Sequence, residues 1–378
     1  MGGMTARERF IATMHFKRPD HLPFCEWVGF HAETVTRWIR EGLPFELEHS
    51  RLGGVYSYVK MAEFFGLERM GFLLGEKTSL DFGPIPRFMS KTLAIEDNYT
   101  IQRDEMGITK KISRSHAYSM PQFVDWPVKT IDDFEKIKKR FDPTDSKRYP
   151  LNWSDELIEY YKNMDYPLGM FLPGFFWTGR NLMGTQNLLV SFYKDPELIH
   201  EIMNFHSDFL VDLLKPIVEA LKTSIDHVTL HEDLAYKSGP MISPKLFREF
   251  ILPNYKKVTN LLKRNGIDTI FVDTDGYFAL LIPLFLEAGV NGFWPLEANA
   301  GVDALALRRE YGKSLLLIGN INKTAVSEGK DAIKNEIGYK IPYLKEEGGY
   351  IPSIDHYPSP DISLENYRYY LALLKSYL

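Results

Sequence analysis

At 378 residues, with 44% apolar and 25% charged side chains, the chain has the balance of a globular protein, long enough for one large α/β barrel or two ordinary domains. The net charge of −5, with no Lys/Arg block longer than a short helix face such as 136–140, excludes a nucleic-acid binder. A single cysteine, Cys25, excludes an intramolecular disulfide framework and any site of several thiolates, and fits a reducing cytoplasm. The start, MGGMTARERF, lacks the apolar core of an export signal, and no stretch nears the roughly 20 apolar residues that span a bilayer, so a cytoplasmic protein without a membrane segment is expected.

In chain order, Thr5 and Glu8 form a capping box ahead of Phe10, Ile11 and Met14 at helical spacing. HLPFCEWVGF reads as a first strand and ETVTRWIREG as the helix after it, closed by Gly42. One further strand is expected within residues 50–90. Residues from about 80 to 150 break the rhythm: YTIQRDEMGITKKIS alternates around a Met106-Gly107 turn, and Pro121, Pro127 and Pro143 follow. A β-hairpin and an irregular excursion over one end of the barrel are expected there.

Beyond Pro167 six apolar runs, MFLPG, HVTLHEDL, TIFVDTDG, GFWPLEAN, SLLLIGN and GYIPSIDH, each stop at a polar cluster, and helix-like stretches separate them. Asp195-Pro196 and Ser243-Pro244 open two of those helices, and Asn265-Gly266 closes one. The clusters recur at intervals of about 22 to 42 residues (233 to 275, 275 to 297, 297 to 320, 320 to 356), which suits a (β/α)8 TIM barrel in one domain, residues 1–378. A doubly wound open sheet is the alternative, without a G-x-G-x-x-G after an early strand.

In such folds the residues just past the strands' carboxyl ends gather on one face and do the chemistry. Asp273 and Asp275, two apart, point to one side and suit a metal or polar substrate groups, although Asp-Gly is also ordinary turn chemistry. His231 and Asp233 form a second pair, with Glu232 facing away. Glu297, bracketed by apolar residues, would be costly to bury without a partner, and Asn320 suits fixing substrate or backbone. Asp355-His356 ends the last strand, where the histidine is placed as ligand or proton donor. Glu26 or His31 would line the pocket, whereas Cys25 reads as core filler.

TARERFIATMHFKRPDHLPF, GVNGFWPLEANAGVD, LLIGNINKTAV and GGYIPSIDHYPSPDISLENYRYY together resemble the uroporphyrinogen decarboxylase superfamily over nearly the whole chain. That resemblance implies a (β/α)8 barrel and suggests a homodimer. Its decarboxylase branch grips substrate carboxylates with an R-Q-A-G-R-Y motif near the first strand, where this chain has PFCEWVGF. The other branch moves methyl groups to or from a corrinoid protein or coenzyme M, holding zinc with a His-x-Cys pair and a distal Cys. Asp273-x-Asp275 and Asp355-His356 stand at the matching places, with oxygen and nitrogen donors.

The resemblance thus implies a methyltransferase that passes a methyl group from a methylated small molecule to a corrinoid (cobalamin) on a partner protein. Asp273, Asp275 and His356 would be ligands of a possible zinc ion, and Asp233, Glu297 and His356 the catalytic groups. Glu26, His231, Tyr236 and Asn320 would contact substrate. Two alternatives stand beside it. A metal-free decarboxylase would call on Arg180 and Lys237 as cations, and a non-catalytic binding protein would show a collapsed pocket.

Overall fold

Short apolar strands separated by helices build the core. The computed structural model describes residues 3–44, 55–72, 80–115, 121–150 and 153–378. Its central sheet joins β1 (Gly71–Phe72), β6 (Leu168–Pro173), β7 (His227–His231), β10 (Ile270–Asp273), β11 (Gly292–Trp294), β12 (Leu316–Ile318) and β13 (Tyr350–Ile351), in that order. Every neighbouring pair is parallel. Val228, Leu230, Ile270, Val272, Phe293, Leu317 and Ile351 are all buried, as expected of strands covered on both faces.

The parallel β/α order is consistent with the expected TIM barrel, and the strand expected within residues 50–90 is β1. Among the described residues the hydrogen-bonded ladder is open between β13 and β1. The segment expected as the first strand runs through that gap without forming one. The Phe24 carbonyl accepts from the Glu68 N–H (2.7 Å), and the Trp27 N–H donates to Ser353 Oγ (3.0 Å). Pro23 has no N–H to give, and a side chain takes the place of a backbone partner at Trp27, so no ladder propagates.

The helices begin where the sequence places caps. Helix Ala6–Met14 has the Thr5/Glu8 capping box, and helix Pro196–Leu221 has Asp195 accepting from the Leu198 N–H. The latter lays Leu198, Ile202, Phe209, Leu213 and Ile217 against the core. No helix among the described residues is long and apolar enough to cross a membrane.

The excursion is richer than the hairpin expected. Four antiparallel strands, β2 (Lys91–Ile95), β3 (Tyr99–Arg103), β4 (Thr109–Ser113) and β5 (Gln122–Asp125), form a sheet of their own. A third small sheet, β8 (Ala235–Tyr236) with β9 (Gly239–Pro240), folds just past β7. Arg148 ties the base of the excursion together. Its wholly buried guanidinium donates to the carbonyls of Asp81, Gly83, Arg140 and Asp142 at 2.5–2.8 Å.

Lysine cannot satisfy four divergent carbonyls from one ammonium. Arg148→Lys is therefore expected to destabilise the protein by about 3 kcal/mol, read as a lower midpoint in denaturant, and to speed proteolysis within residues 80–150.

Candidate functional site

The carboxyl ends of β7, β10 and β13 bring together two histidine–carboxylate pairs. His231 Nδ1 lies 2.5 Å from Asp273 Oδ2, a contact set by the β7–β10 register, in which the two residues are partners. His356 Nε2 lies 3.5 Å from Asp275 Oδ2. Asp233 joins through Arg180, whose Nη2 is 3.2 Å from Asp233 Oδ2, and lies 3.8 Å from His231 Nε2.

Electrostatics couple these groups. Burial pushes the Asp273 carboxyl up to about 6, opposed by its bond to His231 and reinforced by Asp233 and Asp275. Burial would lower both histidines, but the carboxylate on each outweighs it, and His231 and His356 both rise above the ordinary value. For Asp275 burial is outweighed by His356, and its pKa falls below the ordinary carboxylate value. In each pair the carboxylate therefore favours the protonated imidazole more than water would for a free histidine, while the His356 Nδ1 accepts from the Tyr357 N–H (2.9 Å).

The loops are locked by backbone contacts. Glu297 Oε2 accepts from the Gly276 N–H (3.0 Å), and Asp355 accepts from the N–H groups of Ala298 (2.9 Å) and Lys323 (3.1 Å). Gly276 has φ +78°, and a Cβ there would sit 2.6 Å from the Ala235 carbonyl oxygen, so only glycine lets the β8 loop close over the end of β10.

His231, Asp233, Asp273, Asp275, Glu297 and His356 thus occupy one face. Tyr236 stands at its rim, 64% exposed, with its carbonyl accepting from the Tyr277 N–H (2.9 Å). Asn320, expected to touch substrate, is instead wholly buried scaffold. Its side chain accepts from the Ala304 N–H and donates to the carbonyls of Leu296 and Val302, leaving nothing for a ligand. Glu26 is also sealed from the face, its Oε2 accepting from Ser353 Oγ (2.8 Å) and the Ile354 N–H (3.2 Å) among Tyr58, Tyr367 and Tyr370. His31 caps helix Ala32–Arg40 through the Glu33 N–H.

The expected metal ligands divide between the pairs, Asp273 with His231 and Asp275 with His356. Among the described residues no three His, Cys, Asp or Glu side chains converge as a metal-binding group. This arrangement does not fit zinc, which takes three or four protein ligands.

Trp177 was not anticipated. Its ring meets His231 edge-on at 4.2 Å, and the Arg180 guanidinium lies over it at 4.4 Å. Both residues stand on helix Phe175–Met183, which opens directly after β6, and the i, i+3 spacing of an aromatic and a cation there was the available signal.

A family model described as uroporphyrinogen decarboxylase (URO-D) matches residues 84–377. A uroporphyrinogen decarboxylase of Legionella pneumophila is 23% identical over 192 residues, 48% of this chain and 49% of that protein. One of Neisseria meningitidis is 22% identical over 237 residues, 60% of each. The chain therefore spans about half to three-fifths of the length of the curated relatives it matches. Among solved structures, a methyltransferase from Methanosarcina mazei matches with a TM-score of 0.62 over 99% of each chain at 16% identity, a likeness of fold.

Burial holds Glu26 at a pKa of about 7, above its unfolded value, so the folded state binds an extra proton between roughly pH 4.5 and 7. The stability tied to this group is complete below that window and is lost as pH rises through it. Glu26→Gln, which mimics the protonated form, is expected to remove that loss, about 3 kcal/mol by pH 8, in denaturation curves recorded across pH.

Proposed function

The chain belongs to the uroporphyrinogen decarboxylase (URO-D) family, a family of enzymes, and we propose that this protein is a methyltransferase that takes a methyl group from an O-methylated small molecule and delivers it to a corrinoid carried by a separate protein. The observation that supports this reading is the charge and pairing of the strand-end cluster. Asp233, Asp273, Asp275, Glu297 and Asp355 stand there against Arg180, Lys323 and the two histidines, with Arg180 already spent on Asp233 and each histidine on its own carboxylate. A polycarboxylate porphyrinogen would meet like charges, whereas a neutral methyl ether would not. Lys237, the other cation expected for a decarboxylase, is exposed.

Breaking a methyl–oxygen bond leaves the electron pair on oxygen, and that oxygen departs readily only if it takes up a proton as the bond breaks. An imidazolium held by a carboxylate is such a donor. His356 on Asp275 is assigned the proton transfer to the leaving oxygen, its ring turning from the Tyr357 N–H that Nδ1 accepts (2.9 Å) so that both nitrogens carry protons, and His231 on Asp273, braced by Trp177, orients the substrate. The corrinoid supplies the nucleophile that accepts the methyl group. Its carrier would dock where Tyr236, Leu280 and Tyr357 stand exposed on the loops after β7, β10 and β13, an apolar and aromatic rim suited to a protein partner. No step requires zinc.

The test is methyl transfer from O-methylated aromatics to a reduced corrinoid carrier protein, followed by absorbance. His356→Gln is expected to lower kcat by about a hundredfold or more. Because Asp275 raises the His356 pKa, activity should fall at a pH above that expected for an ordinary histidine, and Asp275→Asn should move the fall to lower pH. An alkaline limb that stays in place in Asp275→Asn would discard the role given to His356. Release of carbon dioxide from a carboxylic acid, with no methyl transfer, would replace the reading with decarboxylation and give Arg180 to the substrate.

A further inference from the structure

Beside the strand-end cluster, with Trp177 between them, lies a cavity of about 260 Å3 between the excursion and helix Phe175–Met183. None of His231, Asp233, Asp273, Asp275 and His356 lines it. Its aromatic walls are Phe82, Phe88, Phe141 and Trp177. Trp177 is the partition, since its ring also meets His231 at 4.2 Å. For scale, an apolar cavity of about 150 Å3 is enough to bind benzene.

The polar groups around this space define the charge of an occupant. Arg87 lies at the edge, but both carboxylate oxygens of Asp81 take its Nη2 at 2.8 Å, which leaves it no unbalanced charge for an anion. His206 is kept neutral, burial pushing it down to about 4, and its Nε2 is engaged by the Pro173 carbonyl (2.9 Å) and Thr178 Oγ1 (3.1 Å). Asn181 differs. It lines the cavity, and its side-chain amide has no hydrogen-bond partner among the described residues.

We propose that this cavity is a second small-molecule site, which takes a neutral single-ring aromatic molecule carrying one hydrogen-bonding substituent. The ring lies among the four aromatic walls, where offset and edge contacts favour a flat guest. The substituent pairs with the Asn181 amide, which can both donate and accept. An anionic ring is rejected, because its charge would be desolvated beside neutral partners. Occupancy changes the surroundings of Trp177 and, through it, of His231, so the strand-end cluster senses the guest without touching it.

The experiment is titration of the full chain, without corrinoid or methyl donor, with p-cresol, toluene and benzoate, read by ligand-observed NMR and tryptophan emission. The expected result is saturable one-to-one binding of p-cresol, weaker binding of toluene and none of benzoate. Asn181→Leu should weaken p-cresol about tenfold while leaving toluene unchanged, and Leu182→Trp, which fills the space, should abolish both. No saturable binding of p-cresol to the wild type, or equal affinity for benzoate, would overturn the proposal. So would p-cresol binding at wild-type strength to folded Asn181→Leu. Because the reading uses no methyl transfer, failure here leaves the proposed reaction standing, and failure of that reaction leaves this site standing.

Discussion

The buried carboxylate of Glu232 is the constraint from which the site is hung. It follows the last residue of β7, wholly inaccessible, and accepts from the N–H groups of Phe175 (2.8 Å), Phe176 (2.7 Å) and Trp177 (3.2 Å) and from the Tyr255 hydroxyl (2.5 Å). Those N–H groups open helix Phe175–Met183 and have no intrahelical acceptor, so a negative charge at that end satisfies them and the helix dipole together. Burial still pushes the Glu232 pKa above its ordinary value, with the four donors working against that rise. Gly174 permits the approach, because a Cβ there would lie 2.3 Å from the Glu232 carboxyl carbon.

The consequence reaches both neighbours of Glu232 in the chain. His231 and Asp233 turn to the other side, and the helix that Glu232 grips carries Trp177 against His231 and Arg180 against Asp233. One carboxylate thus sets the spacing between a strand end and the helix that faces it. The strand-end cluster and the aromatic cavity share Trp177, so the same anchor positions a wall of each.

Within the cluster, burial and pairing oppose each other, and the balance differs by residue. Asp273, nearly enclosed, has its pKa raised despite its histidine, whereas Asp275, more open, has it lowered by its own. Two pairs built from the same residue types therefore hold their protons differently. Glu26 shows the same desolvation with weaker compensation, and its stranded charge becomes a matter of stability rather than catalysis.

The periodic elements were legible in advance. Apolar runs read as ending at polar or charged clusters became β6, β7, β10, β11, β12 and β13, and Thr5, Asp195 and Ser243 cap helices as their side chains dictate. The alternation that set His231 and Asp233 apart from Glu232 was readable too, because a strand's period of two is a local property. The role of Glu232 was not, since its partners lie 23 to 57 residues away.

The amino-acid sequence by itself determined the parallel β/α order, the caps, and the set of polar residues delivered to the strand ends, because propensity and periodicity act within a few residues. Tertiary structure alone decided which of those residues meet. It paired Asp273 with His231 and Asp275 with His356 instead of converging them on one ion, and spent Asn320 on three backbone groups around Leu296, Val302 and Ala304. It sealed Glu26 behind Ser353. Burial and hydrogen-bond satisfaction depend on what the rest of the chain places nearby, so the same side chain can be a ligand, a proton donor or a brace.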